Sequence, residues 1–198
     1  MEFKNLISNK QLKMDGPLEI IPSIFNDKRG LFFESWNQKK FDNLICQNIV
    51  FVQDNQSQSN KYVLRGMHYQ VEPKSQGKLV RVTQGRIYDV IVDLRKSSKT
   101  FGLWAGLEIN SKQNNQLWVP VGFAHGFIAI SDHSIVQYKT TDYWSPEHER
   151  CLLWNDKDID IDWGTKIIEN NLEEPIISDK DLLGNTFESL IKNEDIFL

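Results

Sequence analysis

The run Lys78-Leu79-Val80-Arg81-Val82-Thr83-Gln84-Gly85-Arg86-Ile87-Tyr88-Asp89-Val90-Ile91-Val92-Asp93-Leu94 reads as two strands folded back on a glycine turn. Lys78–Thr83 and Arg86–Leu94 are rich in β-branched and aromatic residues, which suit a pleated, half-buried surface, and Gly85 supplies the backbone freedom the turn needs. Working outward, Asn48–Gln53, Val63–Tyr69, Trp104–Ile109, Gln116–Pro120, Ala124–Ile130 and Ser134–Thr140 have the same character. Ser97-Ser98, Asn114-Asn115 and Ser131-Asp132 punctuate them as turns. Closely spaced strands with hardly any helix between them predict an all-β antiparallel sandwich or barrel, with a spacing that fits a jelly roll. Helix is confined to the margins: Asn37 caps a short one over Gln38–Leu44, Ser178 caps another starting at Asp179, and Thr186–Lys192 is a terminal helix or a frayed tail.

Two charges interrupt the strand pattern. Arg81 follows Leu79 on one face, and Asp89 sits between Ile87 and Ile91 on one face. A barrel whose interior holds a ligand tolerates such residues, because ligand and neighbouring side chains satisfy them. They fit the solvent side of a sheet equally well, and both readings stand at this level.

The chain of 198 residues has the length of a single domain with a sizeable core, and its 40% hydrophobic and 25% charged residues are those of an ordinary globular protein. A net charge of −4 argues against a nucleic-acid binder, which would carry a basic stripe. It leaves room for an anionic small molecule held by a few Arg and Lys in one pocket. Cys46 and Cys151 are far apart and form no Cys-x-x-Cys pair, so two free thiols in a reducing cytoplasm are expected. Met1–Lys10 lacks the apolar centre of a signal peptide, and no run reaches the roughly 18 apolar residues of a membrane span.

Of the four histidines, His68 and His125 lie beside glycine in apolar or aromatic strands, whereas His133 and His148 sit among polar turn residues and are expected at the surface. Pro120-x-Gly122-x-x-His125 is similar to the second metal motif of the cupins. Around His68 there is no His-x-His pair, and three protein ligands are usual for a catalytic metal, so no metal site is expected.

The chain resembles the dTDP-4-dehydrorhamnose 3,5-epimerase family from about Leu18 to Asp181. The stretches that carry the resemblance include Asp27-Lys28-Arg29-Gly30, Phe33-Glu34-Ser35, Phe51-Val52-Gln53-Asp54-Asn55, Leu64-Arg65-Gly66-Met67-His68 and Gln76-Gly77-Lys78-Leu79-Val80-Arg81. Further along come Gly122-Phe123-Ala124-His125-Gly126-Phe127, Tyr138-Lys139, Trp154-Asn155-Asp156 and Ser178-Asp179-Lys180-Asp181. The resemblance implies a cupin-like jelly-roll barrel with short peripheral helices. It also implies a nucleotide-sugar substrate with a ketone at C4, so that the hydrogens on C3 and C5 are both α to a carbonyl. Removing one gives an enolate, and returning a proton on the opposite face inverts the centre. Such chemistry needs a base, an acid on the other side and a donor at the C4 oxygen, and no cofactor.

By the same resemblance His68 is the base, Asp181 holds its tautomer, Tyr138 is the acid and Lys78 stabilises the enolate oxygen. His125 lies beside the sugar and Arg65 meets the diphosphate, for which a planar guanidinium is suited. Arg29, Glu34, Gln53, Asn55, Glu149 and Lys180 surround the nucleotide, and Trp144 stacks on the thymine where many members carry tyrosine. The family implies a homodimer in which Arg29 and Phe25 act across the interface. An epimerase of one centre only, a ketoisomerase, a sugar-binding or regulatory module of the same fold, and a metal-dependent cupin oxygenase are the alternatives. The first fifteen or so residues and the tail from 182 to 198 have no functional reading.

Overall fold

The computed structural model describes residues 2–164 and 174–198. Thirteen strands and three helices are found among them. In chain order the strands are β1 (Glu2–Ile7), β2 (Lys13–Ile21), β3 (Phe25–Asp27), β4 (Gly30–Phe32), β5 (Gln53–Ser59), β6 (Leu64–Gln70), β7 (Lys78–Gln84), β8 (Arg86–Asp93), β9 (Trp104–Asn110), β10 (Gln116–Val119), β11 (Phe123–Ala129), β12 (Ser134–Thr140) and β13 (Glu149–Cys151). The helices are α1 (Gln38–Ile45), α2 (Asp179–Leu182) and α3 (Phe187–Lys192). Two sheets carry the architecture, one of six strands in the order β1-β2-β10-β7-β12-β5 and one of five in the order β13-β6-β11-β8-β9. All their pairings are antiparallel, as in the expected jelly roll.

Alternation along the strands sorts side chains into three apolar clusters. Val80, Val82, Ile87, Ile91, Phe123, Phe127 and Val136 meet between the sheets. Behind the five-stranded sheet, Met67, Tyr69, Val90 and Val92 pack beneath Leu152, Trp163 and Leu190. Behind the six-stranded sheet, Leu18, Leu79 and Trp118 pack beneath Phe41 of α1. Hence Asp89, which shares a face with Ile87 and Ile91, points between the sheets, whereas Arg81, which shares a face with Leu79, points outward with its guanidinium 5.7 Å from the Phe33 ring centroid. The two open readings of these charges therefore resolve differently.

Several expectations are corrected. The strand placed at Asn48–Gln53 starts only at Gln53 and continues to Ser59. Phe51 belongs instead to an aromatic group with Trp36, Phe41 and Trp118, and packing there takes it out of the sheet. The strand that does form, Gln-Asp-Asn-Gln-Ser-Gln-Ser, is polar on both faces: Gln53, Asn55 and Ser57 turn inward and Asp54, Gln56 and Gln58 outward. It is aligned residue by residue on β12, with Asn55 opposite Tyr138 and Asp54 opposite Lys139, whose ammonium grips it at 2.9 Å. The N-terminal stretch is also structural: β1 and β2 form a hairpin, and β2 extends the six-stranded sheet through β10. Asn37 and Ser178 cap α1 and α2 as expected, Thr186 caps α3, and both cysteines are free, Cys46 exposed and Cys151 buried.

One close approach sets the geometry between β6 and β11. Gly66 has φ +127°, and a Cβ there would lie 2.5 Å from the Gly126 Cα; a Cβ on Gly126 would lie 2.7 Å from the Arg65 carbonyl oxygen. Only two glycines allow the backbones so near, and the pairing they permit places His68 directly opposite His125. Gly66→Ala combines overpacking (about 1–3 kcal/mol) with a left-handed backbone (about 1–2 kcal/mol). We expect a loss of about 3 kcal/mol in urea unfolding with an unchanged slope; a midpoint equal to wild type would refute the close-approach argument.

Candidate active site

A cavity of about 530 Å³ opens between the two sheets. The five-stranded sheet contributes Arg65 and His68 from β6, His125 from β11 and Glu149 from β13. The six-stranded sheet contributes Lys78 from β7, Tyr138 from β12, and Gln53 and Asn55 from β5. Trp144 from the loop before β13, with Lys180 and Asp181 from α2, completes the wall. Eleven of the thirteen residues expected at the site thus share one cavity, and they reach it from opposite sides. Arg29 and Glu34 do not. Arg29, on the exposed β3–β4 hairpin, pairs with Asp27, and Glu34 pairs with Lys40 in a separate cleft.

His68 stands between two carboxylates. Its Nε2 is 2.9 Å from Asp181 Oδ1, and its Nδ1 is 3.4 Å from Glu149 Oε1. Ser178 caps the short helix that carries Asp181, and the Gly66 backbone N–H donates to Asp181 Oδ2 at 3.2 Å. Burial pushes the Asp181 carboxyl upward, but the hydrogen bond and charge of His68, with the Gly66 N–H, hold it below the ordinary value. Glu149 is likewise raised by burial and brought below its ordinary value by Lys180, Trp144 and His68. Its other oxygen accepts from Lys180 Nζ at 2.6 Å and from Trp144 Nε1 at 3.1 Å. The place of Glu149 beside the imidazole was not legible in the sequence, because only the pairing of β13 with β6 brings the two together.

Lys78 is buried, and its Nζ donates to the His68 carbonyl at 3.0 Å. Burial lowers it from 10.5 to about 8, against the opposing pull of Glu149 and Asp89. At Tyr138, burial and the negative charge of Glu149 raise the phenol, with Arg65 opposing, so the group carries its proton at neutral pH. At the other end of the cavity, Arg65 donates from Nε to Ser59 Oγ at 3.0 Å and from one terminal nitrogen to the Gln58 carbonyl. Gln53 accepts from the Trp144 backbone N–H at 3.1 Å and donates to Asn55 at 2.9 Å. The two histidines expected at the surface differ: His133 is exposed, but His148 is half-buried with its Nδ1 2.8 Å from Ser145 Oγ.

His68, Cys151 and Asp181 offer a nitrogen, a sulfur and an oxygen within 4.8 Å of one another, which is a metal-ligand set by type. The Cys151 thiol is pushed up to about 12 by burial, and Asp181 is already engaged by His68 and the Gly66 N–H. The arrangement suits proton transfer at the imidazole better than a metal: an oriented base on one sheet, and an ammonium and a protonated phenol on the other.

The sequence profile of the family described as dTDP-4-dehydrorhamnose 3,5-epimerase matches residues 11–189. A dTDP-4-dehydrorhamnose 3,5-epimerase from Pseudomonas aeruginosa is 48% identical over 166 residues, which cover 84% of this chain and 88% of that protein. The crystal structure of a dTDP-6-deoxy-D-glucose-3,5-epimerase from Legionella pneumophila in complex with dTDP-4-keto-L-rhamnose superimposes with a TM-score of 0.86 at 38% identity, covering 99% of this chain and 98% of that one. A dTDP-4-dehydrorhamnose 3,5-epimerase from Bacillus anthracis, with TDP and pyrophosphate bound, superimposes with a TM-score of 0.82 at 42% identity over 94% of this chain and 100% of that one.

The Lys78 environment has a thermodynamic consequence. Between about pH 8 and 10.5 the unfolded chain holds a proton on this lysine that the folded chain does not. Unfolding then takes up a proton, so this group's contribution to stability rises with pH across that window. The stability of wild type relative to Lys78→Met, from paired urea titrations, should therefore grow from pH 8 to pH 10.5; a constant difference would contradict the buried, depressed lysine.

Proposed function

This chain belongs to the dTDP-4-dehydrorhamnose 3,5-epimerase family, and we propose that the cavity between its sheets divides the chemistry of that reaction among His68, Asp181, Lys78 and Tyr138. The protein is an isomerase that inverts C3 and C5 of dTDP-4-dehydro-6-deoxy-D-glucose to give dTDP-4-dehydro-L-rhamnose. The observation that carries the proposal is the opposition of His68 on one sheet to Lys78 and Tyr138 on the other across a single cavity.

Asp181, 2.9 Å from one ring nitrogen, orients the His68 imidazole, and His68 is the base that takes the proton from C3 or C5. The imidazolium so formed lies between Asp181 and Glu149, whose two negative charges favour it. As the C–H bond breaks, electron density moves to the C4 oxygen, where the Lys78 ammonium stabilises it. A well-placed donor of this kind contributes about 2.7–4 kcal/mol. The Tyr138 phenol then delivers a proton on the opposite face and inverts the centre. No step in this sequence requires a cofactor.

The nucleotide occupies the other end. Arg65 takes the diphosphate, Gln53, Asn55, Glu149 and Lys180 hold the nucleoside, and Trp144 presents its indole face to the thymine. Arg29 and Glu34 come from a second copy of the chain in a homodimer. The β3–β4 hairpin supports this: Phe25 and Phe32 are 64% and 68% exposed, a concentration of apolar surface suited to burial against a partner. No helix is long and apolar enough to cross a membrane. A cytoplasmic location, where nucleotide sugars are assembled and thiols remain reduced, suits the two free cysteines.

Turnover in heavy water tests the base and acid separately. Wild type should place deuterium at both C3 and C5, and His68→Ala should lose this exchange by at least about 10³-fold while dTDP affinity stays within about threefold. Exchange by His68→Ala at the wild-type rate would end the assignment. Tyr138→Phe should still wash deuterium into recovered substrate but invert little of it; unimpaired inversion would remove the phenol from the mechanism. Because Lys78 must be an ammonium, kcat/KM should fall as pH rises through about 8. A rate level to pH 10 would contradict that role.

A further inference from the structure

Asp89 is a buried acid on β8 that points between the sheets. It is 0% exposed, and neither carboxylate oxygen has a hydrogen-bond partner among the described residues. A carboxyl group in that state is costly unless something compensates it, and one retained without a structural partner calls for a functional explanation. The other buried acid on the same strand shows the contrast. Asp93 accepts from Arg95, Ser98 and Thr100 and holds a turn together. Asp89 has one polar neighbour in contact, His125, whose Nε2 is 2.7 Å from Oδ1 but off the line of a hydrogen bond. His125 is 8% exposed and lines the catalytic cavity on the same sheet as His68, its cross-strand neighbour. Along its own strand and across from it, Asp89 is flanked by Ile87, Ile91 and Phe127, whose side chains cannot hydrogen-bond.

We propose that Asp89 is a positioning residue for the epimerisation, fixing the His125 ring from behind so that its Nε2 carries the proton and its Nδ1 edge is presented to the sugar. The inference rests on the cavity being the epimerase site. Asp89 does for His125 what Asp181 does for His68: each imidazole in the cavity has a carboxylate against its Nε2. The consequences differ because the surroundings differ. Asp181 sits at the cavity wall, beside a base that must accept and release a proton. Asp89 is sealed in the apolar layer, where a fixed negative charge also lies in the field of the buried Lys78 ammonium. A ring held in one orientation, with one tautomer, offers the sugar one defined acceptor. A ring free to flip would offer a nitrogen or a carbon by turns. The effect belongs to the reacting sugar and not to nucleotide capture, so it should appear in kcat.

The test is Asp89→Asn, which keeps the side-chain volume, in the full-length protein with dTDP-4-dehydro-6-deoxy-D-glucose. The expected result is a fall in kcat of about 100-fold with KM within about threefold, smaller than the roughly 10⁴-fold seen when an aspartate orienting the base itself is amidated. Measured at about pH 6, well below the Lys78 value of about 8, so that the lysine keeps its proton in every variant, the double variant Asp89→Asn/His125→Asn should be no slower than His125→Asn alone, because Asp89 acts through His125. Multiplicative losses, or wild-type kcat in Asp89→Asn, would overturn the proposal. Wild type gives an independent reading should the variant not fold: with only four histidines, ¹⁵N-histidine NMR resolves His125, which should carry its proton on Nε2. A proton on Nδ1 would overturn the proposal as well. If wild type itself failed to exchange C3 and C5 hydrogens with solvent, the reading of the cavity would fail, and that outcome is distinct from an Asp89→Asn enzyme that exchanges normally.

Discussion

A lysine ammonium shut away from water needs negative charge around it, and this constraint orders the interior of the protein. Lys78 lies between the sheets, where a largely apolar layer of valine, isoleucine and phenylalanine adjoins the polar cavity. Glu149 and Asp89 support its charge from the opposite sheet, and His68 supplies a carbonyl. Neither acid is adjacent to Lys78 in sequence, so the balance exists only when the two sheets are face to face. Several other polar groups in the cavity are placed by their relation to these charges: Lys180 and Trp144 hold Glu149, and His125 stands in front of Asp89.

Much of this was legible before any coordinates. The strands around Val63–Tyr69, Lys78–Leu94, Trp104–Ile109 and Ala124–Thr140 announce themselves through β-branched and aromatic residues, and the caps of α1 and α2 through Asn37 and Ser178. What escaped has definite causes. The strand Gln53–Ser59 carries no apolar alternation because its inner face lines a polar cavity, so the usual signal is absent where the site is built. Its apolar neighbours Ile49 and Phe51 look like a strand but belong to the aromatic cluster over α1. The N-terminal hairpin was hard to read because β1 is exposed apart from Leu6, while β2 divides its buried side chains between two clusters, Met14 in one and Leu18 and Ile20 in the other.

The candidate site was readable to a similar degree and for similar reasons. Residue types in a family pattern identify His68, Lys78, Tyr138 and Asp181, yet only the fold shows that they converge. Asp89 was ambiguous because alternation along a strand tells which residues share a face, not which face is inward. The closeness of Glu149 to His68 depends on a three-residue strand, too short to leave a mark in the sequence. Arg29 and Glu34 lie away from this cavity, on the exposed β3–β4 hairpin and in a separate cleft.

The polar strand at the rim of the six-stranded sheet has a further consequence. With both of its faces hydrophilic, no burial term penalises a shift of that strand by one residue along its neighbour. Such a slip would exchange Gln53, Asn55 and Ser57 for Asp54, Gln56 and Gln58 at the mouth of the cavity. A slipped strand would present the Asp54 carboxylate to the cavity. What prevents this is local: the Asp54–Lys139 ion pair, the Gln56–Gln137 bond, and anchors at either end in Phe51 and in Ser59 bound to Arg65. The alignment of these two strands thus decides which polar side chains face the cavity, and it is held partly from the outer surface.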